Sequence, residues 1–427
     1  MKKLSCSVLL LFTFLFVTSI NNLSTAQESA VSDSVTMGAN YANEIYYSIE
    51  SGFVLSSPRS TWDIAFRTKK FSSSILTNDG KSVILYTYPK SDTNGWASVD
   101  TSGFNTWRPM YNDPNDWENG AFSRNAKGYP DYGWAIYNDV THDLVGDSLF
   151  VIQLRDGSLR KLWIKDKRST LDIYHFRLAN IDGTNDHTDT LDLSNDLATD
   201  FIGFSLETNQ RVDFQPTLAS WDILFTRYMS IQPDSTPYLV TGVLSNSNLK
   251  TKKCHPVPLS YTNWQANAWD SLRSSIGYDW KSYNTATSSY TVVDSLVYFT
   301  QKPNKNVHKL YFTGYAGIGS GKIFFTKEKL FSAGINNDLA SSGLNITVYP
   351  NPVKETLHIS VTGKTGDEIH FVLSDLSGRQ LGADHPGRLA EGLNQFSFNV
   401  TGLTPGVYFV TASTAATKAV TKVIITR

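Results

Sequence analysis

The chain has almost no cysteine. Two of its 427 residues are cysteines, Cys6 and Cys254, and Cys6 falls in the leader described below. The rest of the chain carries one thiol, which excludes an intrachain disulfide framework and a zinc site built on paired cysteines. A charge excess is missing too. The 38 Lys+Arg face 39 Asp+Glu, for a formal net charge of −1. No basic surplus points to nucleic acid or to anionic lipid. Long apolar runs are scarce. The longest, residues 8–17, is interrupted by Thr13 and falls short of the ~20 residues of a spanning helix. It follows Met1-Lys2-Lys3 and precedes the small residues Ser24-Thr25-Ala26, so residues 1–26 are expected to be a secretory signal peptide, with no transmembrane segment in the mature chain. Cys6 lies before the apolar run, which excludes it as a lipidated cleavage-site residue. Catalytic signatures are also absent. There is no His-Glu-x-x-His, no Gly-x-Ser-x-Gly and no Ser-His-Asp pattern, and the expectation is a protein that is not an enzyme.

Aromatic residues are plentiful, with 10 Trp, 21 Tyr and 23 Phe. They suit β-sheets and ligands that stack on rings. The clearest signal is a repeat. Trp62-Asp63-Ile64-Ala65-Phe66-Arg67 returns as Trp221-Asp222-Ile223-Leu224-Phe225-Thr226-Arg227, a whole domain's length further on. Trp117 with Phe122 matches Trp264 with Trp269, Trp134 matches Trp280, and Asp147-Ser148-Leu149 matches Asp294-Ser295-Leu296. The spacing contracts after the first block, so the first copy carries an insertion, read as a loop over 87–105.

The matched blocks read as strands. Residues 149–154 and 159–165 flank Asp156-Gly157 as a hairpin, and residues 296–301 and 307–313 repeat it around Pro303-Asn304. Short helices are conceivable at 115–124 and 262–273, but their rings at i and i+5 do not share a helical face. Two polar stretches read as linkers. The expected organisation is all-β: a first repeat at 38–182, a linker at 183–200, a second repeat at 201–331, a linker at 332–344, and a small Ig-like β-sandwich at 345–427.

The last segment carries Tyr349-Pro350-Asn351-Pro352, Asp375-Leu376-Ser377-Gly378-Arg379, Leu403-Thr404-Pro405-Gly406-Val407-Tyr408 and a terminal Lys422-Val423-Ile424-Ile425-Thr426-Arg427. In this order the motifs resemble the type A C-terminal sorting domain of the type IX secretion system of Bacteroidetes. The resemblance implies Sec export, then passage through the type IX machinery, and a secreted or outer-membrane cell-surface location.

The repeated blocks each follow an aromatic strand and a turn, Tyr46-Tyr47-Ser48-Ile49-Glu50-Ser51-Gly52 and Phe201-Ile202-Gly203-Phe204-Ser205-Leu206-Glu207-Thr208-Asn209. With the late hairpins they resemble the HmuY family, all-β haem-binding surface proteins. That resemblance implies a haem or porphyrin clamped by two axial side chains. Met229 and His255 are the candidate pair in the second copy, and Met110 is the soft candidate in the first. The alternative is an adhesin or glycan-binding module whose contacts are the ring sets Trp117/Phe122 and Trp264/Trp269. Gly317-Ile318-Gly319-Ser320-Gly321-Lys322 departs from a phosphate loop, since Ile323 stands where Ser or Thr is required, and is read as a turn before a strand. The acidic run 182–196 fits no EF-hand spacing and is read as a solvated linker.

Overall fold

The computed structural model describes residues 30–331, 344–363, 365–381, 387–390, 392–415 and 417–427. The expected signal peptide, and all of the expected second linker but Leu344, lie outside the described residues.

The body is built on four stacked β-sheets, with the two-stranded hairpin Lys281–Asn284 and Ser289–Val292 as a fifth. A seven-stranded outer sheet is built from the first copy, with the hairpin Phe150–Gln153 and Leu159–Arg168 and the strand Ile173–Asn180 at its centre. A five-stranded outer sheet is built mostly from the second copy, with Lys250–Cys254, Val297–Gln301, Val307–Tyr315 and Lys322–Phe331. Alternating burial along Ile173–Asn180 shows why these segments are strands: every second side chain enters a core. Both hairpins expected from the sequence form in register.

The two inner sheets are where the copies interlock. The strand Asn43–Ser48, which opens the first copy, pairs with Ile223–Ile231 of the second. The strand Phe201–Ser205, which opens the second copy, pairs with Ile64–Arg67 of the first. Each copy therefore lends its opening hairpin to the other. One packed unit joins residues 62–193 with Phe201–Ser205, and its core unites Ile64, Phe66, Phe150, Ile164 and Phe176 with Ile202 and Phe204. The other joins residues 31–58 with 221–331, uniting Val35, Ile45 and Tyr47 with Phe225, Tyr298, Phe312 and Phe325. The strand Val31–Thr36 completes this exchange as an edge of the five-stranded sheet, pairing with Lys322–Phe331. The packed units thus cross the expected boundaries 38–182 and 201–331.

Between the inner sheets lies a third core that includes Tyr46, Trp62, Trp117, Phe201, Trp221 and Leu224. Gly80 belongs to this contact: a Cβ there would fall 2.2 Å from the carbonyl oxygen of Arg227, so only glycine lets the copies approach so closely.

Other expectations are revised. Residues 262–273 contain no helix, and 115–124 contain only the 3₁₀ turn Ala121–Ser123, because the rings there pack onto sheets. The expected linker 183–200 includes the strand His187–Asp192, which extends the seven-stranded sheet. The acidic run is spent on local contacts: Asp186 pairs with Arg177 at 2.7 Å and Asp196 with Arg211 at 2.8 Å. The inserted loop folds as the 3₁₀ turns Thr93–Ser98 and Phe104–Thr106, and Trp96 and Val99 cover the outer face of the large sheet.

The tail is a separate sandwich with strands Asn345–Tyr349, Thr356–Thr362 and Asn394–Asn399 in one sheet. Glu368–Asp375, Gly406–Ser413 and Lys418–Ile425 lie in the other, with Gly387–Arg388 at its edge. Within Tyr349-Pro350-Asn351-Pro352, the Asn351 side chain donates to Lys422 O and accepts from Ile424 N, both at 2.9 Å. It ties that motif to the last strand.

Candidate functional site

The expected contact residues do not converge on one site, although Trp264 and Trp269 stand together. Met110 is buried in the first unit's core, with Thr87 Oγ1 3.4 Å from its sulfur. Phe122 is fully buried in the same core. Trp117 is buried between the inner sheets, under the Arg273 guanidinium at 4.1 Å. These positions follow from packing: the loop that carries Trp117 and Phe122 folds inward over a sheet. Trp264 and Trp269 are half-exposed, 6.3 Å apart, and cover the outer face of the five-stranded sheet. Lys252 Nζ stands 4.4 Å over the Trp269 ring and donates to Trp264 O at 2.6 Å. His255 is exposed at the end of Lys250–Cys254. Met229 sits on Ile223–Ile231, and its backbone N–H bonds the Asp79 carboxylate. The Met229/His255 pair therefore spans two different sheets.

The structure offers another site. A cleft of about 820 Å³ opens on the second unit, and six tyrosines line it: Tyr41, Tyr238, Tyr278, Tyr283, Tyr290 and Tyr315. They arrive from distant parts of the chain: Tyr283 lies in the repeated block of Trp280, while Tyr41, Tyr290 and Tyr315 belong to no repeated block, so the repeat pattern did not reveal the cleft. Tyr41 follows the exchanged N-terminal strand, Tyr283 and Tyr290 face each other across the hairpin Lys281–Asn284 and Ser289–Val292, and Tyr315 ends a strand of the outer sheet.

The rings form a connected series. Tyr41 and Tyr315 stack at 6.5 Å with 6° between planes, and the Tyr315 hydroxyl donates to that of Tyr41 at 2.7 Å. Tyr290 meets Tyr315 edge-on at 4.6 Å, and Tyr283 meets Tyr290 at 4.9 Å. Tyr41 is buried, while Tyr283 and Tyr238 are 52% and 62% exposed, so the series runs from floor to rim. Gly317 shapes one wall. Its φ is +69°, and a Cβ there would press on the Tyr290 ring at 3.2 Å. The N-terminal strand secures the loop behind it: Met37 N donates to Gly321 O at 3.1 Å, and Thr36 Oγ1 to Ser320 O at 2.7 Å. The segment 317–322 is a turn before a strand, as its sequence suggested.

Two cations complete the lining. Lys281 Nζ donates to Thr241 O at 2.5 Å and lies 4.2 Å from the Trp280 ring and 4.9 Å from the Tyr315 ring. Burial lowers its pKa to about 7, and the field of Asp279 opposes that shift only in part. The Arg227 guanidinium lies 5.3 Å from the Tyr41 ring. Burial raises the pKa of Tyr315, with its bond to Tyr41 adding to the rise, and burial does the same for Tyr290. The phenols are therefore neutral donors and acceptors. Register places Met229 opposite Leu239, a lining residue, but neither Met229 nor His255 lines the cleft itself. Among the described residues, no three His, Cys, Asp or Glu side chains are grouped to hold a metal ion.

Residues 347–426 match the family model of the Secretion system C-terminal sorting domain. The chain is therefore exported, to the cell surface or beyond it. No helix among the described residues is long and apolar enough to cross a membrane. No curated protein matches the chain. Among solved structures, apo PinO from Porphyromonas gingivitis is 11% identical over 71% of this chain and 99% of its own, with a TM-score of 0.28. Dimeric latent PorU from Porphyromonas gingivalis is 8% identical over 92% of this chain and 34% of its own, with a TM-score of 0.19. At these scores neither likeness carries an argument about fold or function.

Proposed function

We propose that this exported chain is a non-catalytic carbohydrate-binding protein and that the tyrosine cleft is its site. The observation that carries the reading is the series Tyr41, Tyr315, Tyr290 and Tyr283, in contact from the buried floor to the exposed rim. Tyrosine offers a sugar a ring face for its C–H groups and a hydroxyl for its own hydroxyls, at a low cost in side-chain entropy. An open, partly polar cleft of this size suits a short stretch of glycan chain better than an enclosed apolar molecule. The test is a glycan array probed with the full chain and with Tyr290→Ala. Retention of defined glycans by the first and their loss by the second is the expected result. An array left blank by the full chain removes the proposal.

Haem or porphyrin capture is the second reading, favoured by one observation: phenols can ligate ferric haem, and Tyr315 lines this cleft, with Met229 on the strand paired with its Tyr238–Thr241 wall. Against it, burial holds the phenols neutral, and the Met229/His255 pair is divided between sheets. Haemin titrated into the full chain decides the matter. A Soret shift abolished by Tyr315→Phe or Met229→Ala, with His255→Ala as the comparison, replaces the carbohydrate reading with this one.

A further inference from the structure

We propose that the sugar bound in this cleft is acidic, with its carboxylate or sulfate groups held by Arg227 and Lys281. The inference rests on the carbohydrate reading above and adds the ligand's charge to it.

The lining is one-sided. Two ionic side chains border the cleft, both cations, and no Asp, Glu or His lines it. Each cation meets one ring of the stacked pair, Arg227 at 5.3 Å from Tyr41 and Lys281 at 4.9 Å from Tyr315. Neither is neutralised by the protein. Lys281 is held by two backbone carbonyls, Thr241 O at 2.5 Å and Tyr278 O at 3.4 Å, which accept hydrogen bonds and cancel no charge. Asp279, whose field reaches Lys281, forms its ion pair with Lys253 instead. Arg227 has a buried Nε with no hydrogen-bond partner, and among the described residues no carboxylate lies within ion-pair distance of its guanidinium.

A half-desolvated cation without a counter-charge is costly. Anionic groups on a bound sugar relieve that cost at each cation. The planar guanidinium presents paired donors that match carboxylate or sulfate oxygens, and the ammonium adds a donor of its own. A bound anion opposes the effect of burial on Lys281 by favouring its charged form. The rings then take the sugar faces beside the charged groups.

The test uses calorimetry on the full chain with two polysaccharide pairs, each matched in backbone and differing in charge: polygalacturonate against its methyl ester, and dextran sulfate against dextran. The expected result is at least tenfold tighter binding of the charged member of one pair, falling as salt is raised. In Arg227→Gln and Lys281→Gln that preference shrinks about tenfold, and Arg227→Lys restores part of it. Thermal midpoints establish that each variant is folded. Should Arg227→Gln fail to fold, Lys281→Gln and the salt dependence of the unaltered chain carry the test. Equal affinity within both pairs overturns the acidic assignment and leaves the carbohydrate reading standing. A charged preference that survives both Gln substitutions overturns the assignment to this cleft. Binding of none of the four polymers, together with a blank array, removes both proposals.

Discussion

The Asp222 carboxylate accepts a hydrogen bond from the backbone N–H of Ile49 at 2.8 Å, between residues 173 positions apart. Its counterpart in the first motif, Asp63, accepts from Leu206 N at 2.7 Å. Each aspartate of the repeated Trp-Asp block thus fixes the hairpin lent by the other copy. Each also meets a lysine, Lys302 for Asp222 at 3.1 Å and Lys81 for Asp63 at 2.9 Å. The Asn78 and Asn246 side chains cap Trp62 O and Trp221 O at 3.0 and 2.9 Å, so the two sites are built alike.

Asp63→Ala leaves the Lys81 ammonium, 2% exposed, with its main buried counter-charge removed. The expected loss of stability is about 3–5 kcal/mol. Arg124→Ala breaks a half-exposed pair with Asp113 and is expected to cost less than about 1 kcal/mol. Urea midpoints of the two variants measure the contrast.

Deleting residues 30–58 removes strands from the second packed unit and none from the first. Amide exchange protection is expected to collapse over Val297–Gln301 and Lys322–Phe331 and to persist over Phe150–Gln153 and Ile173–Asn180. Loss confined to residues 62–180 contradicts the exchange of hairpins.

Ser32 Oγ and Thr326 Oγ1 lie 3.4 Å apart across the pairing of the first strand with the last strand of the body. The double variant Ser32→Cys/Thr326→Cys is therefore expected to close a disulfide on mild oxidation and to raise the thermal midpoint reversibly. A free-thiol assay with and without reductant reads the closure.

Lys281 has a folded-state pKa near 7 and an unfolded one near 10.5. Below pH 7 both states hold the proton, and the burial cost is carried in full. From pH 7 upward the unfolded state binds more protons than the folded one, so this residue makes stability rise with pH. Between pH 7 and pH 9 the unaltered chain is expected to gain about 1–2 kcal/mol relative to Lys281→Met. Urea midpoints at both pH values check this, and parallel changes in the two proteins refute it.

Gly317→Ala places a Cβ on a left-handed backbone and against the Tyr290 ring. It is expected to cost about 1–2 kcal/mol and to weaken ligand binding several-fold by shifting the ring. Tyr290→Ala, at a ring 38% exposed, is expected to cost little stability and about tenfold in affinity. Calorimetry and thermal melts of both variants separate the two effects.

The all-β class, the tail with its strands and the paired late hairpins were legible because each depends on local alternation and turn residues. The repeat was legible as well, since Trp62 and Trp221 hold equivalent places beside Asn78 and Asn246. The exchange was not. Asn43–Ser48 and Phe201–Ser205 carry the same aromatic pattern, so either could pair with either motif, and only three-dimensional closure chooses. The cleft was hidden for a related reason: Tyr41, Tyr290 and Tyr315 belong to no shared motif. Trp117 and Trp264 align in sequence yet meet different surroundings, because only the loop carrying Trp117 reaches across to the other copy, where Asn115 O accepts from Arg273 N at 2.9 Å.

The strand Val31–Thr36 finds its partner in Lys322–Phe331, and the hairpin behind it waits for Ile223–Ile231. During synthesis, what emerges first cannot seal a core alone. Topology itself postpones compaction, and the body shuts like a clasp when its final strand arrives.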